Sequence, residues 1–147
     1  MSEPPTPAGT ERFLHEQIPL SKEMGVRVES LDACRLVLTA PLEPNHNHLG
    51  TAFGGSLSAL AMLAGYGLLW LRLDDRSAHI IILSSSIHYH QPVRGKLRAV
   101  CDSPEVKLAA FESHFVSKGR ARIKLQVRIE EEGRTCVVFE GVFAALT

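Results

Sequence analysis

From Ala121 to Glu130 the chain reads ARIKLQVRIE: every second residue is apolar, and those between are Arg, Lys, Gln and Arg. That period of two is what a strand with one buried and one wet face requires. Glu132 and Gly133 then form a tight turn, and Thr135–Leu146 is the return strand of a hairpin. Gly25–Ser30 alternates too, and Cys34–Ala40 (CRLVLTA) is aliphatic and β-branched, which predicts two strands joined at Leu31–Ala33. Ala78–Tyr89 and Lys96–Cys101 predict another strand pair, with Pro92 and Gly95 marking the turn. Two segments have helical character. Glu11–Gln17 is short and amphipathic, and a second helix runs from Ser103 as N-cap and Pro104 in the first turn to about Val116, closed by Gly119.

One block breaks both periods. Ser56–Leu73 is almost free of charge and, as a helix, would be ~27 Å long, barely a bilayer core. Ser56, Ser58, Gly65, Gly67 and Arg72 lower its hydrophobicity, and no second span accompanies it. A surface helix needs a polar stripe, and this one has none, so it is expected to be buried on nearly all sides in a soluble protein. A helix, two strands, one buried helix and then four strands, with a short helix among them, predict an α+β fold: an antiparallel sheet curled about one central helix.

Composition adds limits. At 147 residues the chain suits one domain, expected over residues 11–147 after a flexible lead-in, residues 1–10, rich in Pro, Ser, Thr and Gly. Sixteen basic and sixteen acidic residues cancel, so no overall field attracts nucleic acid or an anionic membrane, and neither is expected as a partner. Cys34, Cys101 and Cys136 have no metal-ligand spacing and sit in apolar stretches; reduced, buried thiols in a cytoplasmic protein follow. No cofactor or metal is expected. His88 and His90, two residues apart on a strand, lack a nearby third ligand.

The most polar short cluster, Asn45–His48, runs through Gly50, Phe53, Gly54 and Gly55 straight into the apolar block. An Asn-x-x-Gly-x-x-(His or Phe)-Gly-Gly loop before a long apolar helix, followed by a strand ending in Tyr-x-x-Pro (Tyr89 and Pro92), resembles the hot-dog fold of acyl-thioesterases and dehydratases. More narrowly, IPLSKEMGV, APLEPNHNHLGTAFGGSLSALAMLAG and CDSP resemble the YiiD C-terminal-domain family of thioesterases from Ile18 onward. The resemblance implies a homodimer with sheets joined edge to edge, often paired again into a tetramer, with active sites at the subunit interface.

Chemistry follows from the helix start. Its first amides lack intrahelical acceptors and carry the positive end of the helix dipole, and Gly54 and Gly55 place no Cβ before an approaching carbonyl. The Gly55 N–H is thus an expected oxyanion donor for thioester hydrolysis. Asn45, Asn47 and His48 are expected to orient water, with His48 able to accept a proton; a capping or turn role is the alternative for each. Asn47 occupies the position where related thioesterases carry Asn or a catalytic Asp, and Met62 the position where the phenylacetate-pathway type carries an acid, so both customary carboxylates are missing. Ser56 reads as a group satisfying backbone at the helix start. Phe53, Gly54, Ser56 and Met62 are expected beside the substrate, with Tyr66 and Trp70 further along an acyl tunnel, and His88 and His90 near the partner's helix. Lys118 and Arg120, with Arg122 and Lys124, would suit coenzyme A phosphates or the acidic helix of an acyl carrier protein, or simply form a solvated strand face. Two readings result: a hydrolase of acyl-CoA or acyl-carrier-protein thioesters, or a non-catalytic acyl-binding module that kept the pocket. A dehydratase is disfavoured because Phe53 and Met62 replace its His and carboxylate.

Overall fold

A computed structural model of the chain describes residues 4–73 and 77–147. Thr6 caps the first helix, α1 (Pro7–Gln17), its Oγ1 accepting from Gly9 N at 3.0 Å, and Pro7 sits in the first turn. The helix therefore takes in Pro7–Thr10, part of the expected lead-in; Met1–Glu3 of that segment lie outside the described residues. Then follow α2 (Pro19–Glu23), β1 (Arg27–Asp32), β2 (Arg35–Ala40), a distorted turn α3 (Leu42–Asn45) and the long helix α4 (Gly54–Leu73). The second half is β3 (His79–Tyr89), β4 (Leu97–Asp102), α5 (Glu105–Lys118), β5 (Arg120–Glu131) and β6 (Arg134–Leu146).

The strands form one antiparallel sheet in the order β1-β2-β4-β5-β6-β3. The β1–β2 and β5–β6 hairpins match the periodicity. The expected pairing of the third and fourth strands does not: β3 lies along β6, whereas β4 lies between β2 and β5. From β3 the chain steps across β6 and β5 to reach β4, about 14 Å at the usual strand spacing, and the segment around Pro92 spans it. On the way Val93 is buried and its carbonyl accepts from Ala52 N at 2.8 Å, so the crossing is anchored to the loop before α4. Ser103 is not the cap of α5 either. That helix starts at Glu105 after Pro104, with no side-chain cap, and Ser103 Oγ is buried without a hydrogen-bond partner among the described residues.

The sheet curls about α4. Leu57, Leu60, Ala61, Ala64 and Leu68 are buried against inward residues of β2, β4, β5 and β6, among them Leu36, Leu125, Phe139 and Phe143. Two glycines set the closeness. A Cβ at Gly65 would lie 2.5 Å from the Phe143 ring, and one at Gly67 would lie 2.4 Å from Leu36 Cδ2. Burial on nearly all sides is not what the structure gives: Ala59, Met62, Tyr66 and Trp70 are only half-buried. One sheet can cover one side of a helix, and this apolar stripe is the side left over. Trp70 finds partial cover from Phe13 of α1, edge to face at 5.1 Å. β4 pairs with β5 only over Val127–Ile129, and α5 packs beside the rest of β5 through Leu108, Phe111 and Phe115. β3 is an 11-residue edge strand without a second neighbour among the described residues.

Candidate active site at the start of the central helix

The loop before α4 is tied down at both ends. Asn45, 3 % exposed, donates from Nδ2 to Met24 O at 2.8 Å and Pro41 O at 2.9 Å, and its carbonyl accepts from Phe53 N at 2.8 Å. His46 and Ala52 form a β-bridge. Within that frame Asn47 closes the tip: Oδ1 accepts from Leu49 N at 2.8 Å and Thr51 N at 3.2 Å, and Nδ2 donates to Thr51 Oγ1 at 2.9 Å. This is an Asx-type turn, which frees the backbone from needing any other partner there. It presents His48, Leu49 and Gly50 to solvent.

Phe53 O accepts the first helical hydrogen bond, from Leu57 N at 3.1 Å. The amides of Gly54, Gly55 and Ser56 have no backbone acceptor among the described residues, and Gly55 is exposed. Tyr89, at the end of β3, donates its hydroxyl to Gly54 O at 3.0 Å and fixes the first turn from the sheet side. The Phe53 ring lies over Gly55, so that a Cβ there would meet Phe53 Cε2 at 2.4 Å. Leu49, Phe53 and Tyr89 are 74, 56 and 51 % exposed. Phe53 and Tyr89 thus flank a cluster of unsatisfied donors, an arrangement suited to a ligand with an apolar body and an electron-rich oxygen.

The expected site residues separate into two groups. Asn47, His48, Phe53, Gly54, Gly55 and Ser56 come together at the loop and first turn; Asn45 sits beneath them with its amide donors engaged by backbone. Met62, two turns further on, lies half-buried on the uncovered stripe with Tyr66, whose phenol is pushed up by burial and stays protonated. The loop and first two turns, residues 45–62, contain no Asp or Glu. His88 and His90 flank Tyr89, and because Tyr89 points to the helix they point the other way, their rings stacked at 6.1 Å on the outer face. Lys118 and Arg120 lie at the far end of the sheet: Arg120 pairs with Leu146 and Tyr89 with Val137, opposite ends of β6. Tyr89 was a motif residue in the sequence and not a site residue. The alternation that puts His88 and His90 on one face already put Tyr89 on the other.

A curled antiparallel sheet around one long helix, with a Gly-Gly amide cluster opening that helix, defines the hot-dog class of acyl-thioester proteins. The chain belongs to the family described as "Putative thioesterase (yiiD_Cterm)", which matches residues 8–147. A protein of unknown function from Chlorobaculum tepidum is 37 % identical, covers 97 % of each chain and superposes with a TM-score of 0.85. A structure named as a putative thioesterase from Shewanella oneidensis is 26 % identical over 96 % of this chain and 97 % of its own, also at 0.85. A thioesterase from Haemophilus influenzae, 17 % identical over 99 and 93 % of the two chains with a TM-score of 0.77, shares the fold.

Proposed function

We propose that the protein hydrolyses acyl thioesters of coenzyme A or an acyl carrier protein at the start of α4, in a homodimer whose sheets join along β3. The observation that carries this reading is the set of unpaired amides at the Gly54–Gly55 turn, where Gly55 is exposed, in a chain of a thioesterase family. Water adds to the carbonyl carbon, and the oxygen takes up negative charge that the Gly55 N–H stabilises; donors of this kind are worth roughly 2.7–4 kcal/mol in the transition state. His48 takes the proton from the water. The C–S bond then breaks, the sulfur leaves with that proton as a thiol, and the acid remains. Asn47 holds the loop and keeps one amide hydrogen for the water. Asn45 positions that loop. The acyl chain runs along the stripe of Ala59, Met62 and Tyr66, which the second copy covers. The three unpaired thiols support a reducing, cytoplasmic setting.

The absence of carboxylates from residues 45–62 favours a second reading, a module that binds acyl thioesters without cleaving them. Thiol release from a panel of acyl-CoAs of increasing chain length decides between the two. The hydrolase reading expects turnover that falls in His48→Ala and Asn47→Ala; binding without release at any chain length leaves the acyl-binding module.

A further inference from the structure

Beyond Met62 the uncovered side of α4 changes character. Gly55, Ala59 and Met62 follow one another at about one helical turn and offer either little bulk or a flexible thioether chain, whereas the next two positions on that face are Tyr66 and Trp70. These rings are not isolated. Tyr66 meets Trp70 with centroids 5.4 Å apart and Phe143 of β6 edge to face at 5.5 Å, and Trp70 meets Phe13 of α1 at 5.1 Å. A continuous aromatic wall from β6 to α1 thus crosses the stripe. Phe143 is fully buried and packed on Gly65, and the Tyr66 phenol lies against the Ile82 backbone, so the wall is held from behind.

The same contacts show how β3 runs beside the helix. Tyr89 reaches Gly54 at one end and Tyr66 reaches Ile82 at the other. Between them Ile87 and Ser85 share the inward side of Tyr89, since the ladder to β6 is regular from Ser84 to Tyr89. Ser85 is exposed although it faces inward. Helix and strand therefore do not close on each other beside Met62, and the space between them is open toward Gly55 and walled at Tyr66.

We propose that Tyr66 is the stop of the acyl pocket and restricts the protein to short and medium acyl groups, up to about eight to ten carbons. The inference rests on the acyl chain lying along α4 as proposed above. From Gly55 to Tyr66 the helix rises ~16 Å, and the Tyr66 ring, tilted toward the helix N-terminus, takes up ~4 Å of that length. The remaining ~12 Å accommodates an extended chain at ~1.3 Å per carbon. Trp70 lies one turn further, ~6 Å.

The test uses saturated acyl-pantetheines, the portion common to both carriers, over a range of about four to sixteen carbons. In the natural chain kcat/KM for thiol release should rise about three- to fourfold per methylene and fall beyond about ten carbons. Tyr66→Ala should carry the rise about four to five carbons further, to Trp70. Tyr66→Phe keeps the ring and should keep the limit, because the stop is steric. Where Tyr66→Ala does not fold, Met62→Phe carries the test: it sets a ring one turn nearer Gly55 and should lower the limit by about four to five carbons. A natural chain without a limit in this range, or a limit that neither Tyr66→Ala nor Met62→Phe moves, overturns the stop and leaves hydrolysis at Gly55 standing. If no member of the series releases thiol, the same series is read as affinity by calorimetry. A limit in affinity that moves with these substitutions ends the hydrolase reading and keeps the stop; affinity that is absent, or indifferent to chain length, overturns both.

Discussion

Whether an amide side chain serves a substrate or its own backbone depends on its partners, and Asn45 and Asn47 differ in that respect. Asn45 is buried and spends its donors on Met24 and Pro41. Asn45→Ala strands both carbonyls and should lower the unfolding free energy by about 2–3 kcal/mol in a urea titration. Asn47→Ala opens a half-exposed turn and should cost nearer 1 kcal/mol, while reducing hydrolysis through the displaced loop. A mutant series in which the two lose equal stability would contradict this division. At Gly55 the donor itself can be removed. Proline in a first helical turn lacks only an N–H that no helical carbonyl awaits, and the exposed Phe53 ring can move aside, so Gly55→Pro should keep the fold and cut kcat for thioester hydrolysis about 10²- to 10³-fold. The loop and its glycines were legible in the sequence because residue type and order reveal a polar turn before an apolar helix. Which way each amide points was not, since what separates Asn45 from Asn47 is the pair of carbonyls it meets, one of them brought by Met24 from 21 residues away.

Periodicity located nearly every element, because alternation and apolar blocks are local properties. It failed for the partner of β3, because the choice between β4 and β6 depends on a crossing held by long-range contacts, Ala52 N to Val93 O and the Arg94 and Gly95 amides to the Glu131 carboxylate among them, that no local pattern records. It also overestimated the cover on α4. An apolar face looks the same in a sequence whether its own sheet or another copy covers it. The covered face is tight enough to test. Ala at position 65 would be a better helix residue than Gly by about 1 kcal/mol, yet its Cβ would stand 2.5 Å from the Phe143 ring; overpacking should prevail and destabilise the protein by about 1–2 kcal/mol. The end of α4 is joined to α5 by Arg72, which meets Glu105 and Glu112. The hydrogen bond from Arg72, then that from the Cys34 thiol, hold the Glu105 carboxyl at about 2, below its ordinary 4.5. A carboxyl lowered on folding contributes fully above the unfolded value and loses that contribution as it is protonated. Melting temperature should therefore fall between pH 4.5 and 2 more steeply in the natural chain than in Glu105→Gln, and parallel curves would show that the pair adds nothing.

The whole molecule has an uneven surface. Ion pairs lace β1, β4 and β5 through Arg98 and Arg128, while the β3 side exposes Ile81, Leu83 and Tyr89 along an unpaired edge. A long edge with apolar side chains and open backbone groups is a template for another strand, and a second copy of the same edge, reversed, is the partner that symmetry makes self-complementary. The uncovered stripe on α4 lies on the same side and would be buried with it. Proline tests this, because successive residues of a strand direct their N–H groups to opposite sides. Of Ser85→Pro and Ser86→Pro, one removes a ladder bond to β6 and should destabilise the fold; the other removes only an outward donor and should leave a folded chain that sediments as a monomer. That monomer should also have lost acyl-thioester hydrolysis, since the stripe of Ala59, Met62 and Tyr66 beside each helix start would lose its cover. If both variants sediment like the natural chain and turn over substrate at its rate, the edge plays no part in assembly, and the acyl pocket has to be closed within a single copy.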